Sequence, residues 1–230
     1  VENVIIINKE IIHVCVGKLL LKETVVCEVD EPKRFKIMKN HTSTHLLHKA
    51  LKNVLGDHVH QAGSLVDSEY LRFDFTHSEK LTLQQLETVE SQVNEQILLN
   101  HKLKISEKDY DQAKNDGAEA LFGEKYGDQV RVVEIDNYSM ELCGGTHVNR
   151  TGDIGSFQIT EETSLASGVR RILAVTGPVS VKRIQKRSEI LNSLQSLLNV
   201  PEDGLFERVT LIVNEKKKLD KQLSKQKKIK

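Results

Sequence analysis

His41-Thr42-Ser43-Thr44-His45 and Cys143-Gly144-Gly145-Thr146-His147 are the two stretches around which this chain is organised. Histidines four residues apart on a helix lie one turn apart on the same face, so both can reach one metal ion. Two glycines between a thiol and an imidazole favour a tight loop or a strand end. Three nitrogens and one sulfur suit tetrahedral zinc, and the alternative is two core histidines and a buried thiol. Thr42 stands where a His-Glu-x-x-His metalloprotease has its glutamate, so the general base of that chemistry is missing.

The composition indicates a folded chain of ordinary size. It has 230 residues, of which 38% are hydrophobic and 29% charged, enough for one sizeable core with appendages. No apolar run approaches the roughly 20 residues of a membrane span, and no signal-peptide pattern opens the chain. Three widely spaced cysteines argue against a disulfide framework and predict a reducing, cytoplasmic compartment. The chain begins at Val1 inside an apparent strand, so we expect it to be part of something longer.

The charge is uneven, although the formal net charge is zero. Residues 216–230 carry eight Lys and one Asp, so residues 1–215 sum to −7. A region with a net negative charge does not attract RNA through its overall electrostatic field. Any contact with nucleic acid must therefore be local.

The first 30 residues read as β-structure. The β-branched runs predict three strands, at 4–7, 11–16 and 23–29, which we interpret as part of a sheet or barrel. Cys15 and Cys27 fall inside these strands and are predicted to be small buried side chains.

Residues 32–176 alternate between helical and strand patterns. A helix starting at Phe35 or Asn40 is predicted to run to Leu55 and to stop at Gly56. Thr82 and Gln85 form a capping-box pattern for a second helix that reaches about Asn100. A short helix is predicted at 109–115 and a loop-rich passage at 117–127. The predicted strands are 57–66 and 69–75, paired as a hairpin, then 102–106, 130–135, 138–142, 156–160 and 168–175.

This order favours an α+β fold in which a mixed sheet packs with two long helices. From Pro178 onward the chain is predicted to be one helical arm. Its apolar residues follow 3- and 4-residue steps and are Leu205, Val209, Ile212, Leu219 and Leu223.

The motifs together resemble the editing domain of alanyl-tRNA synthetases. The two opening stretches carry the resemblance, and it extends in the expected order over about residues 15–177. Thr146 favours the alanyl class, because the related threonyl-tRNA synthetase module has Pro immediately before this histidine. The alanyl class also includes the free-standing AlaX deacylases. The further matching stretches are 61–66, 71–75, 120–128 and 168–172.

The resemblance implies hydrolysis of mischarged Ser-tRNA(Ala) and Gly-tRNA(Ala). A pocket built for Ala cannot sterically reject Gly and discriminates poorly against one added hydroxyl, so a second site must sort them. It also implies zinc, one ion per chain, bound by His41, His45, Cys143 and His147. Thr44 matches a residue of the amino-acid pocket and Gln61 one important for editing. The alternatives are that Thr44 bonds its own helix and Gln61 a strand neighbour.

The resemblance further implies that the chain has three consecutive regions. Residues 1–31 would be the end of a partial β-barrel, 32–176 the editing domain, and 177–230 the start of a helical linker or coiled-coil arm. The expected partner is the acceptor end of tRNA(Ala), with no membrane. The arm is a candidate for self-association in the full-length protein, where ATP and Mg²⁺ would serve only an aminoacylation domain.

The hydrolytic mechanism is open at the sequence level. Four protein ligands normally make a closed, structural zinc site, so either one ligand is displaced or the metal positions the ester while a neighbour activates water. Glu141 is the candidate base, and a solvated strand residue is the alternative.

Contact with tRNA has two candidate patches. The first is Arg170 with Arg171, of which only one would face the acceptor stem if they lie in a strand. The second is a group just before the metal helix, comprising Lys33, Arg34, Lys36 and Lys39. For both patches, plain solvated surface is the alternative.

Two other interpretations of the whole chain remain. One is a free-standing AlaX-type deacylase. The other is a non-catalytic, zinc-stabilised module for RNA binding or oligomerisation.

Overall fold

The computed structural model describes residues 1–8, 10–18, 24–120 and 126–227. The chain divides into two compact units, Val1–Glu31 and Pro32–Lys230. Residue 23 of the predicted third strand and residues 121–125 of the predicted loop-rich passage lie outside the described residues. No helix in the described part of the chain is both long and apolar enough to cross a membrane.

The first unit contains one antiparallel hairpin of two strands, β1 (Asn3–Ile7) and β2 (Glu10–Val14). The predicted third strand is wrong for residues 24–29, which have no regular structure. The described part of this unit is therefore a two-stranded hairpin, and its assignment to the end of a partial β-barrel stays a prediction. Cys15 and Cys27 are exposed, so the prediction that they are buried is also wrong. Both cysteines lie outside the two strands of the hairpin, so neither has the strand position on which the prediction rested.

The second unit is α+β, as predicted. It has seven strands and five helices among its described residues. The strands are β3 (Gln61–Val66), β4 (Leu71–Thr76), β5 (Leu103–Asp109), β6 (Gln129–Ile135), β7 (Ser139–Leu142), β8 (Phe157–Ala166) and β9 (Val169–Thr176). The helices are α1 (Glu31–Leu55), α2 (Leu83–Leu98), α3 (Tyr110–Asn115), α4 (Gly177–Leu198) and α5 (Leu205–Lys227).

The strands form two separate sheets, in the orders β3-β4-β9-β8 and β5-β6-β7. Every strand pair in them is antiparallel, so the prediction of one mixed sheet is wrong. Short turns join three of these pairs directly, and a short turn between paired strands requires an antiparallel arrangement. The predicted turn at Asp67-Ser68 is confirmed, because the Asp67 N–H donates to the Tyr70 carbonyl at 3.0 Å.

Helix α1 begins earlier than predicted. It starts at Glu31 with Pro32 in its first turn, where the missing proline N–H has no helical partner to lose. It ends before Gly56, whose φ of +112° suits glycine. Almost every residue from Asn40 to Leu51 is buried, so this part of α1 is central to the core.

The core lies between α1, α2 and both sheets. Leu47, Phe73 and Phe75 are fully buried and belong to one contiguous apolar cluster. The predicted capping box of α2 is confirmed, since the Thr82 side chain accepts from the Gln85 N–H and the Gln85 side chain accepts from the Thr82 N–H. This packing holds α1 rigidly, and with it the two histidines.

The arm is not one continuous helix. Helix α4 ends at Asn199, which adopts the left-handed conformation, and Pro201 follows before α5 begins. Both helices leave many apolar side chains exposed, among them Ile190, Val209 and Leu219. Residues 228–230 lie outside the described part of the chain.

Candidate metal centre

Helix α1 and the loop after β7 bring the four predicted residues together. The donor atoms of His41, His45, Cys143 and His147 all lie within 4.8 Å of one another. His45 and His147 are buried, whereas His41 and Cys143 are partly exposed. Residues 102 positions apart in sequence thus form one compact donor set.

Distances around the thiol suit a shared metal ion. The Cys143 Sγ lies 3.4 Å from His41 Nε2 and 3.3 Å from His147 Nε2. Zinc bonds of about 2.3 Å to sulfur and 2.0–2.1 Å to nitrogen at tetrahedral angles would separate S and N by roughly 3.6 Å. The donor types and these spacings fit zinc.

The second nitrogen of each imidazole faces a protein group. His41 has a hydrogen bond to the backbone of Thr146. His147 Nδ1 lies 3.1 Å from the Thr42 hydroxyl, which also accepts the Val148 N–H at 3.2 Å. His45 Nδ1 lies 3.2 Å from Glu141 Oε2. Such contacts fix the ring orientation of a metal-binding histidine.

All three imidazoles are held neutral. Burial lowers the pKa of His147 to about 3, with smaller effects from the charges of His41 and Arg131. Burial also lowers the pKa of His45 well below its usual value, followed by repulsion from His147 and His41. The pKa of His41 is lowered chiefly by burial. Neutral imidazole is the form that binds metal.

Gly145 and Arg131 shape the loop that carries the thiol. A Cβ at position 145 would lie 2.0 Å from the Cε1 of His41, so only glycine fits there. The Arg131 Nη1 donates to the carbonyl oxygens of Cys143 and Gly145, both at 2.7 Å. A cavity of about 280 Å³ opens beside Cys143 and is lined by Arg131 and Gly144.

A buried polar network lies behind His45. Glu141 Oε1 is 3.1 Å from His48 Nδ1, and the Ser139 hydroxyl donates to the same oxygen at 3.4 Å. His48 Nε2 lies 3.7 Å from Glu119 Oε2, and Glu119 Oε1 forms an ion pair with Lys52 Nζ at 2.7 Å. Burial alone would lower the pKa of His48, but its hydrogen bond to Glu141 and the nearby carboxylates raise it. Burial raises the pKa of Glu141.

Thr44 and Gln61 make the local contacts that the sequence left as alternatives. The Thr44 hydroxyl donates to the His41 carbonyl at 2.7 Å, one helical turn back. Gln61 Nε2 donates to the Ser64 hydroxyl at 3.2 Å, within the same strand. Their editing roles stay predictions.

The arginines of the first tRNA patch are both paired with carboxylates. Arg170 Nε donates to Glu162 at 2.6 Å, and Arg171 donates to both Asp74 oxygens at 2.6 and 2.8 Å. In the second patch, Lys36 is paired with Glu69 at 2.8 Å, and Lys39 lies 4.8 Å from the ring centre of Phe35. Lys33 and Arg34 are exposed in the first turns of α1. Binding of tRNA by either patch stays a prediction.

Sequence reasoning missed Thr42, His48 and Arg131 as parts of the site. No motif of the sequence singles out His48, although its position three after His45 puts it on the same helix face. Thr42 was considered only as a missing glutamate. Arg131 carries no local signal, because strand pairing alone brings it beside the loop.

Known proteins are similar in sequence to this chain. The family model described as the threonyl and alanyl tRNA synthetase second additional domain matches residues 130–172, which include Cys143 and His147. An alanine-tRNA ligase of Thermoanaerobacter sp. is 46% identical over 207 residues, 90% of this chain and 24% of that protein. One of Fervidobacterium nodosum is 48% identical over the same shares. One of Alkaliphilus oremlandii is 46% identical over 94% of this chain and 24% of that protein. The resemblance to alanyl-tRNA synthetases is confirmed.

The chain spans about a quarter of the length of these alanine-tRNA ligases. The shared quarter includes the second additional domain and nearly all of the chain described above. The activity of the whole ligases is therefore only proposed for this chain.

Proposed function

We propose that this region hydrolyses the ester of mischarged Ser-tRNA(Ala) and Gly-tRNA(Ala), as the proofreading part of an alanine-tRNA ligase. The observation that carries the proposal is the convergence of three imidazoles and one thiol within 4.8 Å, in a chain similar to alanine-tRNA ligases over nine-tenths of its length. The whole protein would join alanine to tRNA(Ala) with ATP and Mg²⁺.

Zinc is the metal that these residues would hold, one ion per chain. Neutral nitrogens and a thiol in a partly exposed site support this choice over Mg²⁺ or Ca²⁺, which prefer oxygen ligands. When bound, zinc supplies a Lewis acid that holds the substrate end and orients water.

Substrate selection is assigned to Thr44. The Thr44 hydroxyl donates its proton in a hydrogen bond to the His41 carbonyl. The lone pairs of the hydroxyl oxygen therefore remain to accept a hydrogen bond from the hydroxyl of a seryl group. Alanine offers only a methyl group there. Gln61 would assist binding of the substrate by exchanging its bond to Ser64.

The acceptor end of tRNA(Ala) is the proposed partner, in the cytoplasm. Lys33 and Arg34, which are exposed in the first turns of α1, are proposed to contact phosphate together with Arg170 and Arg171. The exposed apolar residues of α4 and α5 support self-association of the arm.

The test is a deacylation assay on Ser-tRNA(Ala), at high enzyme concentration, with and without a zinc chelator. We expect hydrolysis to be lost on chelation and in Cys143→Ala. The matched controls are Cys15→Ala and Cys27→Ala, which remove exposed thiols of the first unit and should leave the rate unchanged. If serine leaves the tRNA at the uncatalysed rate with folded, zinc-loaded protein, the hydrolase function fails and a binding module is the better account.

A further inference from the structure

Polar side chains of strand β7 and helix α1 meet behind the donor cluster. Ser139 and Glu141 alternate along the strand and point to the same side, and Cys143 follows two residues later, just past the end of the strand. His48, His45 and His41 recur at three- and four-residue steps on the facing side of the helix. The carboxylate of Glu141 therefore lies two residues before the thiol in sequence.

The carboxylate of Glu141 faces His45 and His48 of this helix and Ser139 of its own strand. Its Oε2 lies 3.2 Å from His45 Nδ1, and its Oε1 lies 3.1 Å from His48 Nδ1 and 3.4 Å from the Ser139 hydroxyl. Glu141 is 6% exposed and His45 is 3% exposed, so water has little access to either group.

His45 needs this acceptor. If Nε2 is to bind a metal, the proton of the neutral ring must reside on Nδ1. His45 Nδ1 is buried, and no aligned hydrogen-bond partner meets it among the described residues. The Glu141 oxygen at 3.2 Å is positioned to accept that proton's hydrogen bond after a small rotation.

The same geometry argues against a role for Glu141 as the base. Nδ1 and Nε2 lie on opposite sides of the imidazole ring, so with Nε2 as the metal-binding nitrogen the His45 ring would stand between the carboxylate and the donor cluster. A general base must come within about 2.6–3.2 Å of the proton that it removes, directly or through one water. In that arrangement Glu141 is separated from the cluster by a whole ring.

We propose that Glu141 is a positioning residue of the metal centre, which fixes the tautomer and orientation of His45 while His48 and Ser139 hold its carboxylate. This inference rests on the metal centre of the proposed function, but not on the substrate assigned to it.

The test measures zinc affinity by competition with a chromophoric chelator, and the His45 tautomer by ¹⁵N NMR. We expect Glu141→Ala to weaken zinc binding by about 10- to 100-fold. Glu141→Gln should retain part of the affinity, because its amide oxygen can still accept one hydrogen bond. The matched control is Glu134→Gln on the neighbouring strand β6. Both glutamates line one cavity of about 280 Å³, but Glu134 is paired with Lys104 and should leave zinc affinity unchanged.

The NMR readout does not depend on the folding of any variant. In the unsubstituted, metal-free chain, we expect His45 to carry its proton on Nδ1. A proton on Nε2 overturns the inference, and so does a Glu141→Gln chain that is folded and binds zinc as the unsubstituted chain does. If the unsubstituted chain binds no zinc, the metal centre itself fails and this inference with it.

Discussion

The Cα of Gly145 lies so close to the His41 ring that a Cβ there would stand 2.0 Å from Cε1 and 2.5 Å from Nδ1. We predict that Gly145→Ala displaces His41 and lowers zinc affinity at least about tenfold, because metal ligands tolerate little displacement. The neighbouring Gly144→Ala is the control, since nothing lies within 4 Å of its added carbon. Chelator competition measures both, and equal affinities in the two variants would contradict the prediction.

Arg131 holds the thiol loop by two hydrogen bonds to carbonyl oxygens. We predict that Arg131→Met destabilises the chain by about 1–3 kcal/mol, because partly buried carbonyl groups lose a charged donor. Urea unfolding of the metal-free chain measures this change. The control is Lys104→Met, which removes an exposed ion pair of the same sheet and should cost less than about 1 kcal/mol. An Arg131→Met chain as stable as the control would show that the loop holds its own shape.

Arg170 neutralises Glu162, whose side chain is 2% exposed. We predict that Arg170→Met costs about 3 kcal/mol, because it leaves a buried carboxylate without its partner. Adding Glu162→Gln should recover part of this loss, since the unpaired charge is then removed. Denaturant unfolding of the single and double variants measures both changes. Lys186→Met breaks the exposed pair with Glu189 and serves as control. A double variant less stable than Arg170→Met alone would contradict the argument.

Tyr138 gives the chain a dependence on alkaline pH. Burial, followed by the charge of Glu95, raises the pKa of Tyr138 to about 12. The unfolded chain releases this proton near pH 10 while the folded chain retains it, so folding stability falls between about pH 10 and 12.

The test compares Tyr138→Phe with the unsubstituted chain by urea unfolding. We expect the difference in stability to shift in favour of Tyr138→Phe above pH 10. At pH 7 the variant should be at least as stable, because the buried Tyr138 hydroxyl has no hydrogen-bond partner among the described residues. A constant difference from pH 7 to 11.5 would refute the assignment.

Local patterns of the sequence predicted most of the second unit correctly. The capping box of Thr82 and Gln85 and the alternation of Leu71, Phe73 and Phe75 depend on neighbours in sequence, and the structure has both features. Predictions failed where a distant partner decides the outcome. Asp74, a charged residue of the predicted strand 69–75, is buried, and it is bound by Arg171, which lies 97 positions away in sequence. Cys15 and Cys27 are predicted to be buried in strands, but both are exposed and lie outside the two strands of the hairpin.

The sequence by itself determined the donor set, because residue type and spacing state which atoms can bind zinc. His41 and His45 must share a helix face, and the glycines before His147 must form a tight loop. Only the tertiary structure decided what holds those donors. The groups that face the three imidazoles are Thr146, Thr42 and Glu141, and the tertiary structure brings each of them beside its ring. Helix and strand periodicities say which way each side chain points, but not which element lies opposite, and that choice is made by burial of the core.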